Sequence, residues 1–170
     1  MADTDGRDHL FVSFATPEWA LAEWLTLRLT AEGYRVWCER FGCLGGELFP
    51  RNVADALRRR TNRVLALFSH AALREPTPTR ERALALGLAE ERGRDFVIPL
   101  SVEVLPPQAV TWLTSESAVI SFDKSWTTGL SRLLARLQRL GVPRSLLDGP
   151  RIAAEARRSL QTRRSWHTVL

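Results

Sequence analysis

One adjacent serine–histidine pair, Ser69-His70, brings together a hydroxyl and an imidazole, groups that carry out nucleophilic catalysis when they contact each other. The pair follows an apolar run, residues 63–68, that predicts a buried strand. Neighbouring residues at a strand end point to opposite sides, so we do not expect a catalytic dyad. The functional interpretation is that both side chains hydrogen-bond a ribose or a phosphate, and the alternative is that they are solvated loop residues.

The cysteines and histidines show none of the spacings that mark metal-binding motifs. The chain has two cysteines, Cys38 and Cys43, and three histidines, His9, His70 and His167. We therefore expect no metal site, and we expect both cysteines to be reduced thiols because no signal peptide precedes them.

Two nucleotide-binding motifs are also missing. No G-x-G-x-x-G follows the first predicted strand, which disfavours hydride transfer on a Rossmann domain. No G-x-x-x-x-G-K-[ST] occurs either, which excludes a P-loop nucleotidase.

The composition predicts one globular domain in the cytoplasm. The chain has 170 residues, of which 45% are hydrophobic and 25% charged, as in average globular proteins. No apolar run approaches the roughly 20 residues of a membrane helix. Of the net charge of +5, four charges lie in residues 151–170, where five arginines face one glutamate. This basic segment could bind a phosphate backbone or an acidic partner, or form a solvated helix.

Strand-like and helix-like segments alternate along the sequence. Apolar, β-rich runs predict strands at residues 9–15, 34–38, 63–68, 96–102 and 118–122. Helical spacing of apolar residues predicts helices at residues 17–32, 49–60, 78–92, 106–113 and 125–140. Thr77 is a candidate cap for the third of these helices, and Pro99 is expected to shorten the fourth strand or cause a bulge in it.

This alternation predicts an α/β fold with a flavodoxin-like five-stranded parallel sheet, order 2-1-3-4-5, covered by helices on both faces. We place the domain at residues 8–140. Residues 141–170 are a basic C-terminal tail or the start of a truncated partner-binding region. Sites in such sheets lie beyond the carboxyl ends of the strands, here after Phe14, Cys38 and Phe68.

Several segments at those ends resemble the Toll/interleukin-1 receptor (TIR) domain family over about residues 8–140. Residues 9–14 resemble its first strand, and residues 33–39 (GYRVWCE) its second strand with the acid that follows. Leu44-Gly45-Gly46 resembles its BB loop. The sequence Leu67-Phe68-Ser69 is similar to its third strand, and Glu81 falls twelve residues after the serine, where enzymatic members keep a glutamate.

A closer resemblance is to the TIR domains of TIR-APAZ proteins in short prokaryotic Argonaute systems. Residues 15–17, 24–25, 33–38, 96–100 and 122–126 (FDKSW) are most similar to that group. A long region follows the TIR domain there, so by this resemblance the chain is a fragment or a stand-alone relative. The implied partners are other TIR domains and, indirectly, a short Argonaute with guide and target nucleic acid, with no membrane.

The resemblance implies cleavage of NAD+ at the nicotinamide–ribose bond, with NAD+ as the substrate and no cofactor. It implies that Glu81 is the catalytic carboxylate; the alternative is an acid stabilised by a helix dipole in a first turn. Flat side chains at strand ends could stack on the substrate, but they are as often ordinary core residues. The substrate-binding residues that we predict are Phe14, Ala15, Trp37, Glu39, Ser69 and His70.

The resemblance also makes Leu44, Gly45 and Gly46 an assembly loop that packs against a neighbouring domain and completes its active site. Our main hypothesis is an NAD+ glycohydrolase of prokaryotic antiviral immunity, switched on by assembly. One alternative is a non-catalytic TIR–TIR adaptor, which is favoured by Thr77 where many members have an aromatic residue. Glu39 likewise replaces the usual aspartate. Another alternative is an enzyme that makes a cyclised ADP-ribose.

Overall fold

The structure, a computed structural model, describes residues 6–110 and 119–168. The strands in these ranges are β1 (His9–Ser13), β2 (Arg35–Cys38), β3 (Gly42–Cys43), β4 (Thr61–Phe68), β5 (Val97–Ser101) and β6 (Ile120–Ser121). The helices are α1 (Trp19–Ala31), α2 (Val53–Arg59), α3 (His70–Arg74), α4 (Pro76–Arg92), α5 (Pro107–Val110), α6 (Trp126–Arg139) and α7 (Gly149–Thr168). Short 3-10 helices span Thr16–Glu18 and Arg94–Phe96. Positions 111–113 and 118 of two predicted elements lie outside the described residues.

The sheet has the order β3-β2-β1-β4-β5-β6. All neighbours from β2 to β6 pair in parallel, which confirms the predicted five-stranded order. The observed sheet differs from the predicted one by β3, a two-residue antiparallel strand within the predicted loop after β2. It forms because the chain turns back through a Phe41 N to Cys38 O hydrogen bond of 2.9 Å. Gly42 then adopts a φ of +70°, where a Cβ would lie 2.6 Å from the carbonyl oxygen of Glu47.

Side chains of each strand alternate between two hydrophobic layers. In β1, Leu10 and Val12 pack in the layer of α1 and α6, whereas Phe11 packs in the layer of α2 and α4. All three are buried. Complete burial of such side chains contributes about 1.5–3 kcal/mol each. Both faces of the sheet therefore need helical cover, as the sequence predicts.

The segment between β4 and β5 differs in detail from the prediction. Residues 70–74 form the separate helix α3, where Ser69 Oγ accepts a hydrogen bond of 3.0 Å from the backbone N–H of Ala72. Helix α4 starts at Pro76, so Thr77 lies inside the helix and is not its cap. Pro99 causes no register shift between β4 and β5, and β6 pairs only beyond it.

Residues 149–168 form one helix, α7, that packs against α1. The helices approach closely at Gly149, where a Cβ would lie 2.3 Å from the carbonyl oxygen of Thr30. Farther along, Arg164 forms an ion pair with Glu23, whose side chain is 7% exposed. In residues 6–110 and 119–168, no helix combines the length and apolar character that a membrane crossing needs.

Candidate active site

A carboxylate and a hydroxyl meet at the carboxyl edge of the sheet. Ser13, the last residue of β1, donates a hydrogen bond of 3.1 Å from Oγ to Glu81 Oε1. Ser13 is 3% exposed, and Glu81 lies in the second turn of α4. The polar side chain at the end of this buried strand is thus hydrogen-bonded to a side chain of the helix that packs over it.

Two contacts orient the beginning of α4. The carboxylate of Glu75 accepts hydrogen bonds from the backbone N–H and the hydroxyl of Thr16, at 3.0 and 3.2 Å. Arg82 is buried, donates to the carbonyl oxygen of Ala72 at 3.1 Å and lies over the ring of Phe68 at 5.4 Å. With Arg82 fixed on the inner side of the helix, the preceding Glu81 faces the end of β1.

The environment of Glu81 raises its pKa to about 7. Burial is the largest cause, because it disfavours the charged form of a carboxyl group. The hydrogen bond from Ser13 lowers the pKa, and the negative charge of Glu39 raises it. A carboxyl group in this state exchanges protons near neutral pH, and a cationic ligand beside it would favour the carboxylate.

Glu81 lines a cavity of about 430 Å³, which is the size of a small-molecule site. The walls come from the loop after β2, the start of α2 and the first turns of α4. They consist of Glu39, Phe49, Arg51, Asn52, Val53, Ala54, Thr77, Arg80, Glu81 and Leu84. The cavity therefore combines two carboxylates with two guanidinium groups, an amide and an aromatic ring, which are groups that recognise hydroxyls, phosphates and a flat ring.

Of the predicted site residues, Glu39 and Glu81 line this cavity together. Phe14 and Ala15 follow β1 at the same edge, but Phe14 packs against the hydrophobic layer of α1 and Ala15 is fully buried. Neither lines the cavity. Trp37 stacks on the ring of His9 at 4.0 Å and borders a separate depression next to Glu47.

Ser69 and His70 have other partners. Ser69 is buried and caps α3. His70 is exposed, and its backbone N–H and Nδ1 lie 2.6 and 2.9 Å from Glu103 Oε1. Neither residue is part of the cavity of Glu81.

The predicted assembly loop, Leu44-Gly45-Gly46, lies at the opposite edge of the sheet from Glu81. Because β3 runs antiparallel to β2, residues after Cys43 return towards the amino ends of the parallel strands. A Cβ at Gly45 would lie 3.4 Å from Leu146 Cδ1 and 3.6 Å from Ile152 Cδ1. The loop therefore lies next to the first turn of α7 and the segment that leads into it.

Sequence reasoning missed four polar residues of the site: Ser13, Arg51, Asn52 and Arg80. A signal for Ser13 was present, because it is the one polar residue in the otherwise apolar run 10–15. Arg51 and Arg80 carried no such signal, since arginine is the common basic residue throughout this chain.

Comparison with known proteins gives a family match and a relative. The family model of the TIR domain matches residues 10–134. Over 144 residues the chain is 33% identical to "Uncharacterized protein y4cD" of Sinorhizobium fredii (strain NBRC 101917 / NGR234). This alignment covers 82% of the chain and 22% of the relative, so the chain spans about a fifth of that protein's length.

Proposed function

Because the chain belongs to the TIR domain family, we propose that it is an NAD+ glycohydrolase, which releases nicotinamide and acts as an effector of prokaryotic antiviral immunity. The observation that carries the proposal is the largely buried Glu81 carboxylate, held by Ser13 on the wall of a ligand-sized cavity. A TIR domain by itself is compatible with signalling or with NAD+ cleavage.

The reaction needs one carboxylate and no general acid. As the bond between ribose C1′ and the nicotinamide nitrogen breaks, its electron pair moves to that nitrogen and neutral nicotinamide leaves. The ribose becomes oxocarbenium-like, and the carboxylate of Glu81 stabilises this positive charge. A water oxygen then bonds to C1′ and loses a proton, giving ADP-ribose. The positively charged nicotinamide ring of the substrate also favours the ionised form of Glu81.

The remaining walls of the cavity suggest how the substrate is held. Arg51 and Arg80 are the cationic groups there, and we assign them to the diphosphate. Phe49 offers a ring for stacking. Glu39, a predicted substrate-binding residue, lies in the same cavity, and we assign it to a ribose hydroxyl as a hydrogen-bond acceptor.

Activity would depend on assembly, since TIR domains commonly self-associate. The loop Leu44-Gly45-Gly46 is the proposed contact with a neighbouring subunit. In the proposed setting the domain works in the cytoplasm, and a short Argonaute with guide and target nucleic acid would bring copies together. This setting rests on the resemblance of segments such as residues 122–126 to TIR-APAZ proteins.

The second candidate is a non-catalytic TIR–TIR adaptor. It is favoured by Thr77, an exposed small side chain on the cavity wall where many family members have an aromatic residue. A third candidate, a cyclase, would form its product from the same oxocarbenium-like species.

The test is product analysis with the domain clustered on a multivalent support, because a dilute monomer would have incomplete sites. The proposal predicts release of nicotinamide and ADP-ribose in equal amounts. Nicotinamide with a cyclised ADP-ribose would indicate the cyclase, and unchanged NAD+ would indicate the adaptor.

A further inference from the structure

Three different metal-ligating side chains converge at the amino edge of the sheet, away from Glu81. The imidazole of His9, the thiol of Cys43 and the carboxylate of Glu47 have ligand atoms that all lie within 4.8 Å of one another. His9 is fully buried, and Cys43 is 3% exposed. We propose that His9, Cys43 and Glu47 bind a divalent metal ion, and that their chemistry fits zinc.

The fold brings these residues together from two distant segments. His9 is the first residue of β1, whereas Cys43 ends β3 and pairs across a tight turn with Glu47. The backbone N–H of Cys43 donates a hydrogen bond of 2.9 Å to the carbonyl oxygen of Glu47. No linear motif could reveal this site, because its histidine and its cysteine are 34 positions apart in the sequence. The expectation of no metal site came from such motifs.

Both ring nitrogens of His9 lie beside carboxylates. Nε2 lies 2.8 Å from Glu47 Oε2, and Nδ1 lies 2.8 Å from Asp8 Oδ1. Nδ1 is nevertheless buried without a hydrogen bond. A cation bound to Nε2, with Glu47 Oε2 and the thiol of Cys43 as further ligands, would leave Nδ1 to carry the ring N–H towards Asp8.

The surroundings resemble the outer shell of zinc sites. A ligating histidine there usually donates its other ring N–H to a carboxylate; here Asp8 Oδ1 lies 2.8 Å from Nδ1, a contact that would need a small reorientation to become a hydrogen bond. Arg35 and Arg60 contact Oε1 of Glu47, at 3.3 and 3.8 Å, which leaves Oε2 facing His9. These two arginines also balance the charges of Asp8 and Glu47, so a divalent cation with an ionised thiol would add a single positive charge to the cluster.

The donor set indicates the kind of metal. Thiolate and imidazole together select zinc over magnesium or calcium, which prefer oxygen ligands. In tetrahedral zinc sites, metal–ligand distances of about 2.0–2.3 Å place the ligand atoms roughly 3.3–3.8 Å apart. The three ligand atoms, which lie within 4.8 Å of one another, therefore need only small side-chain adjustments to reach this geometry. Three protein ligands leave one position for water.

A metal here would join β1 to the turn that carries Leu44-Gly45-Gly46. Cys43 and Glu47 flank these three residues, so the ion would close the base of the loop. Metal occupancy would then set how firmly the loop is held. This consequence rests on the proposed role of the loop in assembly, whereas the site itself does not.

The test is cobalt titration of the chelator-treated domain, followed by absorption spectroscopy without NAD+. Co²⁺ replaces Zn²⁺ in such sites and reports a thiolate ligand by a near-ultraviolet charge-transfer band. We expect one ion per chain with this band, displaced by an equivalent of Zn²⁺. Cys43→Ser should abolish the band and Cys38→Ser should keep it, because Cys38 is a second buried cysteine outside the cluster.

A second variant tests metal binding in a protein that is expected to keep its fold. Glu47→Gln keeps the size of the side chain and should weaken Co²⁺ binding at least tenfold, with the circular dichroism spectrum unchanged. Wild-type protein that is folded but shows no charge-transfer band would overturn the proposal. A band that persists in Cys43→Ser would also overturn it. Because no NAD+ is present, these outcomes are independent of the proposed enzyme activity.

Discussion

Ser13 and Glu81 are 68 residues apart in sequence and share a hydrogen bond of 3.1 Å. The bond joins the end of a central strand to the second turn of α4. It fixes the orientation of a carboxyl group that is otherwise disfavoured by burial. The proposed chemistry depends on this contact, because an oxocarbenium-like ribose must meet a carboxylate held in one place.

Replacing Ser13 with alanine should move the pH dependence of NAD+ cleavage to higher pH. The hydrogen bond favours the charged form of Glu81, so its loss raises a pKa that is already about 7. We expect activity at pH 7 to fall several-fold and to recover partly at pH 8.5, measured as initial rates of nicotinamide release. Ser101→Ala, at the end of β5, is the control. An unchanged profile in Ser13→Ala would argue against the contact.

Glu81→Gln should stabilise the domain above neutral pH. In the unfolded chain the carboxyl group has its ordinary pKa of 4.5, and folding raises it to about 7. The folded state therefore binds the proton more tightly, and stability falls as the pH rises from 4.5 through 7. The ceiling on this loss is about 3 kcal/mol. Urea unfolding at pH 5 and pH 8 should show the loss in wild type and not in Glu81→Gln. Parallel pH dependence in both would contradict the raised pKa.

Replacing Arg82 and replacing Arg80, both in α4, should affect different properties, namely stability for Arg82 and substrate binding for Arg80. Arg82 is buried against the carbonyl oxygen of Ala72, so Arg82→Ala should lower the free energy of unfolding by about 1–3 kcal/mol. Arg80 is exposed on the cavity wall, so Arg80→Ala should leave stability within about 0.5 kcal/mol and raise KM for NAD+ several-fold. Urea unfolding and steady-state kinetics separate the two. Equal effects of both variants on KM would count against the diphosphate assignment of Arg80.

Gly42→Ala should destabilise the domain, whereas Gly87→Ala should not. At Gly42 the φ is +70° and a Cβ would lie 2.9 Å from the backbone nitrogen of Phe49, besides the contact with Glu47. Such strain costs about 1–3 kcal/mol. Gly87 lies in α4 with open space around it, and alanine there should stabilise by about 0.5–1 kcal/mol. The measurement is the thermal midpoint of each variant; a neutral Gly42→Ala would mean that the turn after β2 can rearrange.

The sequence predicted the parallel sheet and its order because each strand is a short apolar run between helices with clear periodicity. It did not predict β3, since a two-residue strand has no periodicity and forms through the turn at Gly42. It made Glu81 a candidate only through family resemblance. The pKa of Glu81 and its contact with Ser13 depend on burial and on a pairing across 68 residues, which no local pattern encodes.

Trp37 is a second case in which the local sequence could not predict the contacts of a side chain. An aromatic residue near a strand end was predicted to meet the substrate, but its face of the sheet and its neighbours were unknown. In the structure its ring stacks on His9, and the cavity of Glu81 is lined by Phe49 instead. Which side chains share a cavity is decided by tertiary packing.

The most direct test of the central claim is nicotinamide release by the clustered domain, with wild type, Glu81→Ala and Glu90→Ala measured side by side. Glu90 lies on the same helix, is exposed and is outside the cavity, so its replacement controls for loss of a negative charge. The account predicts release by wild type and Glu90→Ala and at least a hundredfold lower rate for folded Glu81→Ala. Equal rates in all three variants, or no release from clustered wild type, would contradict it.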